Sequence, residues 1–163
     1  MYQIIKKTVE SSERIVFESP NREPLSYNEF HKSLDQIKND FLNLSINPED
    51  TVAIVLPNGP DIGLLFIACS CFAISAPLNP NYSKNEFIFY LSDLKAKFLI
   101  VDPTLKTEAT KAAEELGLTI IHLSPKEQVG KFTLKNNSDI FKNPTFKHNF
   151  EINTSLLLHT SGT

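Results

Sequence analysis

The residues best suited to chemistry stand at the end of the chain, where Thr160-Ser161-Gly162-Thr163 follow a run of three leucines. The leucine run predicts a short strand covered on both faces. Gly162 allows the backbone to close around an anion, because N–H groups in such a loop form a concave site for phosphate oxygens. The three neighbouring hydroxyl groups add neutral donors. The sequence therefore predicts part of a phosphate-binding loop here.

Two observations limit this interpretation. The Walker loop needs two glycines separated by four residues and followed by Lys and Ser or Thr, and that pattern occurs nowhere in the 163 residues. An ordinary P-loop kinase or GTPase is therefore not indicated. Taken alone, the four residues are also typical of a Ser/Thr/Gly turn after a strand, and only the rest of the chain favours phosphate binding.

Composition narrows the class of protein. The chain is 41% hydrophobic and 21% charged, which is typical of a globular protein. A net charge of -3 and the absence of a basic run argue against nucleic acid as a partner. Arg14 and Arg22 are the only arginines, so bidentate phosphate contacts are scarce. The longest apolar stretch, residues 62–76, is too short to span a bilayer.

Cys69 and Cys71 are the only cysteines. They are two residues apart in a predicted helix, so their side chains point to different faces and cannot form a disulfide. We expect buried structural thiols, which are typical of a reducing compartment. The first residues lack the apolar core of a signal peptide, and we expect a cytoplasmic or peroxisomal location.

The helices and strands that would position these residues can be predicted from hydrophobic periodicity and helix-capping patterns. Ser26 to Glu29 and Ser83 to Glu86 are capping boxes, each of which predicts the start of a helix. Apolar runs predict strands, and 3.6-residue periodicity predicts helices. The predicted strands cover residues 14–18, 51–56, 76–78, 97–101, 119–123 and 155–158, and the predicted helices cover residues 4–12, 26–44, 62–74, 83–94 and 104–116.

This alternation predicts an α/β fold, a doubly wound and mostly parallel sheet with flanking helices. Residues 124–153 depart from the rhythm because they are polar and rich in Lys and Asn. We interpret them as a long surface connection with one strand at residues 131–135, delivering the chain to the final strand. His31, His122 and His148 lack neighbours at metal-ligand spacing, so no metal site is predicted.

Three further stretches, together with the four terminal residues, resemble the adenylate-forming (AMP-binding) enzyme superfamily. They are Leu25-Ser26-Tyr27-Asn28-Glu29-Phe30, then Asp50-Thr51-Val52-Ala53-Ile54-Val55-Leu56-Pro57-Asn58, and Ala76-Pro77-Leu78-Asn79-Pro80 with the helix and strand up to Val101. Thr160-Ser161-Gly162-Thr163 is similar to the opening of the family's AMP-binding signature, which continues with Ser or Thr, Gly, a variable residue, Pro and Lys. The string around Asn79 and the histidine at 159 look most like the oxalate–CoA ligase branch, beside the 4-coumarate–CoA ligases.

The resemblance implies an acid–CoA ligase. Such an enzyme uses ATP, Mg²⁺ and coenzyme A to convert a small carboxylic acid through an acyl-adenylate into a thioester. It also implies that Thr160, Ser161, Gly162 and Thr163 hold the outer phosphates of ATP. His159 either faces the nucleotide or packs beside the last strand.

In the family the catalytic lysine, the magnesium-binding glutamate and the adenine contacts lie further along the chain, so no catalytic residue or metal ligand is assigned to residues 1–163. These residues are expected to be an incomplete N-terminal portion of the large domain. We expect this portion to be inactive alone, not to hold ATP tightly, and to be marginally stable because its last strand lacks covering neighbours.

Two other interpretations remain open. One is a non-catalytic product, either a truncated remnant or an interaction module on the same α/β scaffold. The other is a stand-alone doubly wound domain such as a flavodoxin-like binder. Against the latter, the first strand–helix turn lacks a glycine-rich phosphate fingerprint.

Overall fold

Helices and strands alternate along the chain in the computed structural model, which describes residues 2–8, 12–136 and 154–158. The helices are α1 (Tyr2–Thr8), α2 (Tyr27–Asn43), α3 (Pro60–Phe72), α4 (Lys84–Asp93) and α5 (Ala109–Glu115). The strands are β1 (Ile15–Phe17), β2 (Leu25–Ser26), β3 (Thr51–Val55), β4 (Ile74–Pro77), β5 (Ala96–Val101), β6 (Thr119–Pro125) and β7 (Phe132–Asn136).

The main sheet has five strands in the order β4-β3-β5-β6-β7. The first four are parallel, and β7 is antiparallel to β6. Strands β1 and β2 form a separate antiparallel pair. The prediction of a mostly parallel α/β sheet is therefore confirmed.

Alternate residues of the central strands enter two separate hydrophobic clusters. Val52, Ile54 and Ile100 belong to the first cluster, with the buried faces of α2 and α3. Ala53 and Leu99 belong to the second cluster, with the buried faces of α4 and α5. Full burial of an aliphatic side chain stabilises a fold by about 1.5–3 kcal/mol. Helices thus cover both faces of the sheet, as a doubly wound fold requires.

Both predicted capping boxes are present. The Ser26 hydroxyl accepts a hydrogen bond from Glu29 N at 3.4 Å, and the Glu29 carboxylate accepts one from Ser26 N at 3.3 Å. The Ser83 hydroxyl accepts from Glu86 N at 3.4 Å, and the Glu86 carboxylate accepts from Ser83 N at 2.8 Å. These local contacts begin α2 and α4 at the predicted residues.

Helix α5 is shorter than predicted, since it begins at Ala109 and not near residue 104. The Asp102 carboxylate accepts hydrogen bonds from both the backbone N–H and the hydroxyl of Thr104, each at 2.7 Å. Such a turn competes with the first turn of a helix. At the other end, Gly117 has a φ of 70°, as expected for a C-terminal cap.

The region predicted as a surface connection needs correcting as far as it is described. Residues 124–136 form the end of β6, a turn and β7. Val129 and Phe132 in this region are buried in the first hydrophobic cluster, so the region contributes to the core. Its strand, predicted at residues 131–135, is observed one residue later. Residues 137–153 lie outside the described part of the chain.

Cys69 and Cys71 are free and buried in α3, as predicted. Burial raises the pKa of the Cys69 thiol, and it raises the pKa of the Cys71 thiol to about 11. Both thiols are therefore protonated at neutral pH, so they serve as packing groups.

A network that we call the Arg22 clamp (Arg22, Asp61, Gln128 and Gly130) joins three distant parts of the chain. The Arg22 guanidinium donates to both carboxylate oxygens of Asp61, at 2.5 and 3.2 Å, and to the backbone carbonyl of Gln128 at 2.9 Å. The Asp61 carboxylate also accepts from Gly130 N at 2.9 Å. The clamp therefore holds the β6–β7 turn against the start of α3 and the segment before β2.

The clamp continues through the side chain of Gln128. Its amide donates to the Glu29 carboxylate, at 2.9 and 3.0 Å, and to the carbonyl of Pro24 at 3.2 Å. The hydrogen bond from Gln128 is the largest cause that lowers the pKa of Glu29. The capping carboxylate of α2 thus also anchors the β6–β7 turn.

Gly130 stands where a larger residue would force two buried leucine side chains to shift. Its φ is 72°, and a Cβ at this position would lie 2.8 Å from Leu25 Cδ2 and 2.9 Å from Leu64 Cδ2. Gly117 has nearly the same φ, but a Cβ there would meet nothing within 4 Å. Alanine at either glycine would have a strained backbone, but only alanine at Gly130 would also collide with neighbouring side chains.

We predict that Gly130→Ala destabilises the fold more than Gly117→Ala. Both variants place alanine in a left-handed conformation, which costs about 1–2 kcal/mol. Gly130→Ala adds overpacking against two buried leucines, which costs about 1–3 kcal/mol more. Urea unfolding of both variants measures the difference, and equal losses would show that the turn does not pack as described.

We also predict that Gln128→Ala raises the pKa of Glu29 towards its ordinary value. A carboxyl whose folded-state pKa is lowered adds stability above its unfolded pKa and loses it as the pH falls through the folded pKa. The loss of stability on acidification should therefore be shallower in the variant. NMR titration of the carboxyl carbons tests this. Glu86, whose pKa is lowered by its own capping box with Ser83, is the internal control and should not change.

Candidate functional site

The predicted phosphate-binding residues Thr160, Ser161, Gly162 and Thr163, together with His159, lie outside the described residues. What the structure describes is the strand that leads to them, residues 154–158, which we call the edge segment. Its position determines where in the fold the chain approaches the predicted site.

The edge segment lies along the outer edge of β4. Ser75 N donates to the carbonyl of Ser155 at 3.0 Å, and Leu157 N donates to the carbonyl of Ser75 at 2.9 Å. Ser75 and Leu156 form a parallel bridge. The edge segment therefore runs parallel to β4 at an isolated bridge, beside the outer edge of the five-stranded sheet.

The register places Leu158 near the carboxyl ends of the strands. Ser75 is level with Leu156 on one side and with Val52 on the other. Counting two residues further, Leu158 is level with Pro77 and Ile54, one residue before β3 ends. Ligands of open α/β sheets bind outside the carboxyl ends of the strands. His159 and the four predicted residues follow Leu158 directly in the sequence.

Only one side chain of the three-leucine run packs against the core. Leu157 contacts the second hydrophobic cluster, whereas Leu156 is 37% exposed and Leu158 is 62% exposed. The predicted strand is thus covered on one face and not on both. The exposure of the other leucines agrees with the expectation that this strand lacks covering neighbours.

A pocket of about 260 Å³ lies at the carboxyl ends of β3, β5 and β6. It was not predicted from the sequence, and residues 57–60, which connect β3 to α3, form one of its walls. The chain path diverges between β3 and β5, because the α3 connection leads to one side of β3 and the α5 connection leads away from it. The lining includes Arg22, Asn58, Asp61 and Asp102 together with apolar groups of Leu56, Pro57, Pro60, Leu123 and Pro125.

The charges of this pocket do not suit phosphate. Its cation, Arg22, is already paired in bidentate fashion with Asp61, and Asp102 adds a second carboxylate. Helix α3 has no side-chain cap at Gly59, so the Asp61 carboxylate supplies the negative charge favoured at that helix end. Adjacent strands are about 4.8 Å apart, so the edge segment lies about 10 Å from β3. The pocket and the edge segment are therefore separate features of the sheet.

The described residues do not form a metal site. Within the described ranges, no three His, Cys, Asp or Glu side chains are placed to hold one ion. The described part of the chain therefore supplies no ligand set for the Mg²⁺ that the resemblance implies. In the same ranges, no helix combines the length and apolar character needed to cross a membrane.

Comparison with known sequences finds AMP-binding enzymes and CoA ligases. A model of the AMP-binding enzyme family matches residues 6–163. The relative named "Probable CoA ligase CCL9" from Humulus lupulus is 32% identical over 143 residues, which cover 85% of this chain and 27% of that protein. The oxalate–CoA ligase of Saccharomyces cerevisiae is 34% identical over 141 residues, covering 71% of this chain and 26% of that protein. The chain thus spans about a quarter of the length of these relatives.

Comparison with solved structures supports the fold. The crystal structure of apo MatB from Rhodopseudomonas palustris has a TM-score of 0.66 and 17% identity, and the match covers 84% of this chain and 30% of that one. At this identity the likeness shows the fold alone. The resemblance inferred from short sequence stretches is confirmed by the family match, which extends over nearly the whole chain. This chain therefore belongs to the AMP-binding enzyme family.

Proposed function

We propose that this chain forms the N-terminal part of the large domain of an enzyme that activates a carboxylic acid with ATP and transfers the acyl group to coenzyme A. The family match and the names of the relatives support this proposal. Because the chain spans about a quarter of those relatives, the complete reaction requires residues in addition to these 163.

The placement of the edge segment is the observation that carries the proposal. The parallel pairing of Ser155 and Leu157 with Ser75 directs the chain to the carboxyl edge of the sheet. The hydroxyl and glycine residues that follow are suited to binding phosphate oxygens. A phosphate loop after a parallel strand is a placement that α/β folds commonly use for nucleotides.

In this proposal Thr160, Ser161, Gly162 and Thr163 bind the outer phosphates of ATP through backbone N–H and hydroxyl donors. His159 faces the nucleotide or packs beside the strand. Donors that match the oxygens of the departing pyrophosphate stabilise the charge that develops there. Bound Mg²⁺ would neutralise phosphate charge, and no ligand for it is assigned to the described residues.

The reaction then has two displacement steps. A carboxylate oxygen of the acid attacks the α-phosphorus of ATP, and the bond to pyrophosphate breaks as the acyl-adenylate forms. The thiol of coenzyme A next loses its proton to solvent and its sulfur attacks the acyl carbon, and AMP leaves with the electron pair of the broken C–O bond. Both steps depend on holding the reacting groups in line, which is the contribution of a fixed phosphate loop.

We further propose a small dicarboxylic acid such as oxalate as the substrate. The yeast relative is named oxalate–CoA ligase, and a second oxalate–CoA ligase, from Arabidopsis thaliana, is 31% identical over 121 residues. A reducing intracellular compartment, cytoplasmic or peroxisomal, fits this function and the two free thiols.

A second candidate is a non-catalytic interaction module on the same scaffold. The exposure of Leu156 and Leu158 favours it, because neighbouring exposed leucines on a strand can bind another polypeptide. The two candidates differ in whether the protein turns over ATP.

We predict that the 163-residue chain alone shows no ATP–pyrophosphate exchange and no tight ATP binding, because it offers only part of a phosphate site. Exchange assays and calorimetry with the purified chain test this. Steady exchange by the isolated chain would contradict it.

The coding sequence beyond Thr163 is expected to continue in frame with Ser or Thr, Gly, a variable residue, Pro and Lys. The protein that includes this continuation should catalyse acid-dependent exchange. Ser161→Ala should lower its kcat/KM for ATP by about 10-fold or more, whereas Ser12→Ala, outside the predicted loop, should not. Absence of exchange with oxalate and with a panel of other acids would favour the interaction module.

A further inference from the structure

Lys131, which directly precedes β7, differs from four other lysines in its polar partner. Its Nζ donates a hydrogen bond to the hydroxyl of Ser33 at 3.0 Å, and Ser33 is buried on α2. The four other lysines of the described ranges place Nζ within 2.5–3.7 Å of a carboxylate oxygen; they are Lys6, Lys84, Lys97 and Lys111. A carboxylate favours the charged ammonium, whereas a hydroxyl can accept from the ammonium or donate to the neutral amine. The surroundings of Lys131 therefore suit either protonation state.

Two further lysines lie near Lys131. Lys126 N donates to the carbonyl of Lys131 at 2.8 Å, so these two residues continue the antiparallel pairing of β6 and β7. Opposite residues of an antiparallel pair project from the same face, where like charges repel each other. Lys32, beside Ser33 on α2, adds a third positive charge that acts on Lys131. We call Lys32, Lys126 and Lys131 the lysine cluster.

The cluster changes the acidity of Lys131. Burial lowers the pKa of the Lys131 ammonium, and the charges of Lys32 and Lys126 lower it further. The Glu29 carboxylate acts in the opposite direction, but it already accepts hydrogen bonds from the Gln128 amide at 2.9 and 3.0 Å, and the pKa of Lys131 is lowered on balance. Desolvation and a neighbouring cation are the two ways in which proteins activate a lysine as a nucleophile. Both act on Lys131.

We propose that Lys131 is a modification site that coenzyme A thioesters acylate, a choice of reagent that rests on the proposed function because that function makes such thioesters. The neutral Nζ attacks the carbonyl carbon of the thioester, so that a C–N bond forms and the C–S bond breaks. Coenzyme A leaves as the thiolate with the electron pair of the broken bond and takes up the proton that the nitrogen loses. The products are an amide at Lys131 and free coenzyme A.

The cluster also favours the approach of this reagent. Lys32 and Lys126 are exposed, and the phosphate groups of a coenzyme A thioester are negatively charged. A patch of one charge sign raises the local concentration of a ligand with the opposite sign. The same two lysines therefore activate the amine of Lys131 and attract the molecule that it attacks.

The test incubates the 163-residue chain with acetyl-CoA, without any other enzyme, and measures acetylation of each lysine by peptide mass spectrometry. Lys131 is expected to react about 3-fold or more faster than Lys111. Lys111 is the matched control, because its side chain is 64% exposed and its Nζ lies 2.9 Å from the Glu108 carboxylate. Exposure alone would favour Lys111, so faster reaction at Lys131 reports activation of its amine. The rate at Lys131 should also level off at a lower pH than the rate at Lys111, because its pKa is lowered.

Two charge-matched variants separate the lysine cluster from a general loss of positive charge. Lys126→Gln removes the charge opposite Lys131, which should raise the pKa of Lys131 and slow its acetylation about 2-fold or more. Lys106→Gln removes the same charge from an exposed position between β5 and α5, and it should leave the rate at Lys131 unchanged. In the urea-unfolded chain all lysines should react at similar rates, because the fold brings the cluster together.

Acetylation of Lys131 no faster than that of Lys111 in the folded chain, or equal effects of the two variants, would overturn the modification site. A preference for Lys131 that is lost in urea would support it. Absence of ATP–pyrophosphate exchange by the longer protein would instead overturn the proposed function as the source of the thioester. The two failures are distinguishable, because added acetyl-CoA reaches the lysine whether or not the protein makes a thioester.

Discussion

Strand β3 imposes the constraint on which the architecture depends, because all five of its residues are buried. A buried strand must satisfy its backbone hydrogen bonds on both edges and cover its side chains on both faces. Strands β4 and β5 pair with its two edges, and the helices on either side of the sheet cover its two faces. Parallel neighbours require crossover helices, so the carboxyl ends of the strands collect at one edge of the sheet. The edge segment extends this arrangement and ends at the same edge.

The Arg22 clamp has a different role, since it fixes the turn that follows β6, the last parallel strand. Its ion pair is largely shielded, with Arg22 and Asp61 side chains 21% and 15% exposed. Breaking such a pair leaves a poorly solvated charge behind, so its members depend on one another. Because Asp61 also accepts a hydrogen bond from Gly130 N, the ion pair and the close packing of Gly130 act on the same turn. Arg22 and Asp61 also line the pocket at the strand ends, so the ion pair forms part of its wall.

The features that were predicted correctly from the sequence are mostly ones that involve residues close together in the chain. The capping boxes at Ser26 and Ser83 involve residues three apart, and β3 is defined by a short apolar run, so both are visible in a few residues. The start of α5 was misplaced because the Asp102 turn competes with a helical pattern that continues through it. The Arg22 clamp could not be predicted, since its partners are 39 and 106 residues away from Arg22 along the chain. The assignment of Thr160 to Thr163 to phosphate binding stays a prediction, because it depends on residue types and on resemblance to a family signature and these residues lie outside the described part of the chain.

The burial of Cys69 and Cys71 has a practical consequence. Thiolate is the species that reacts with alkylating reagents, and these two thiols are both enclosed and protonated in the folded chain. Alkylation therefore requires that α3 move away from the first hydrophobic cluster and expose these thiols. The rate at which the chain is alkylated consequently reports how often this helix opens, so the native sequence already contains an internal probe of its own unfolding.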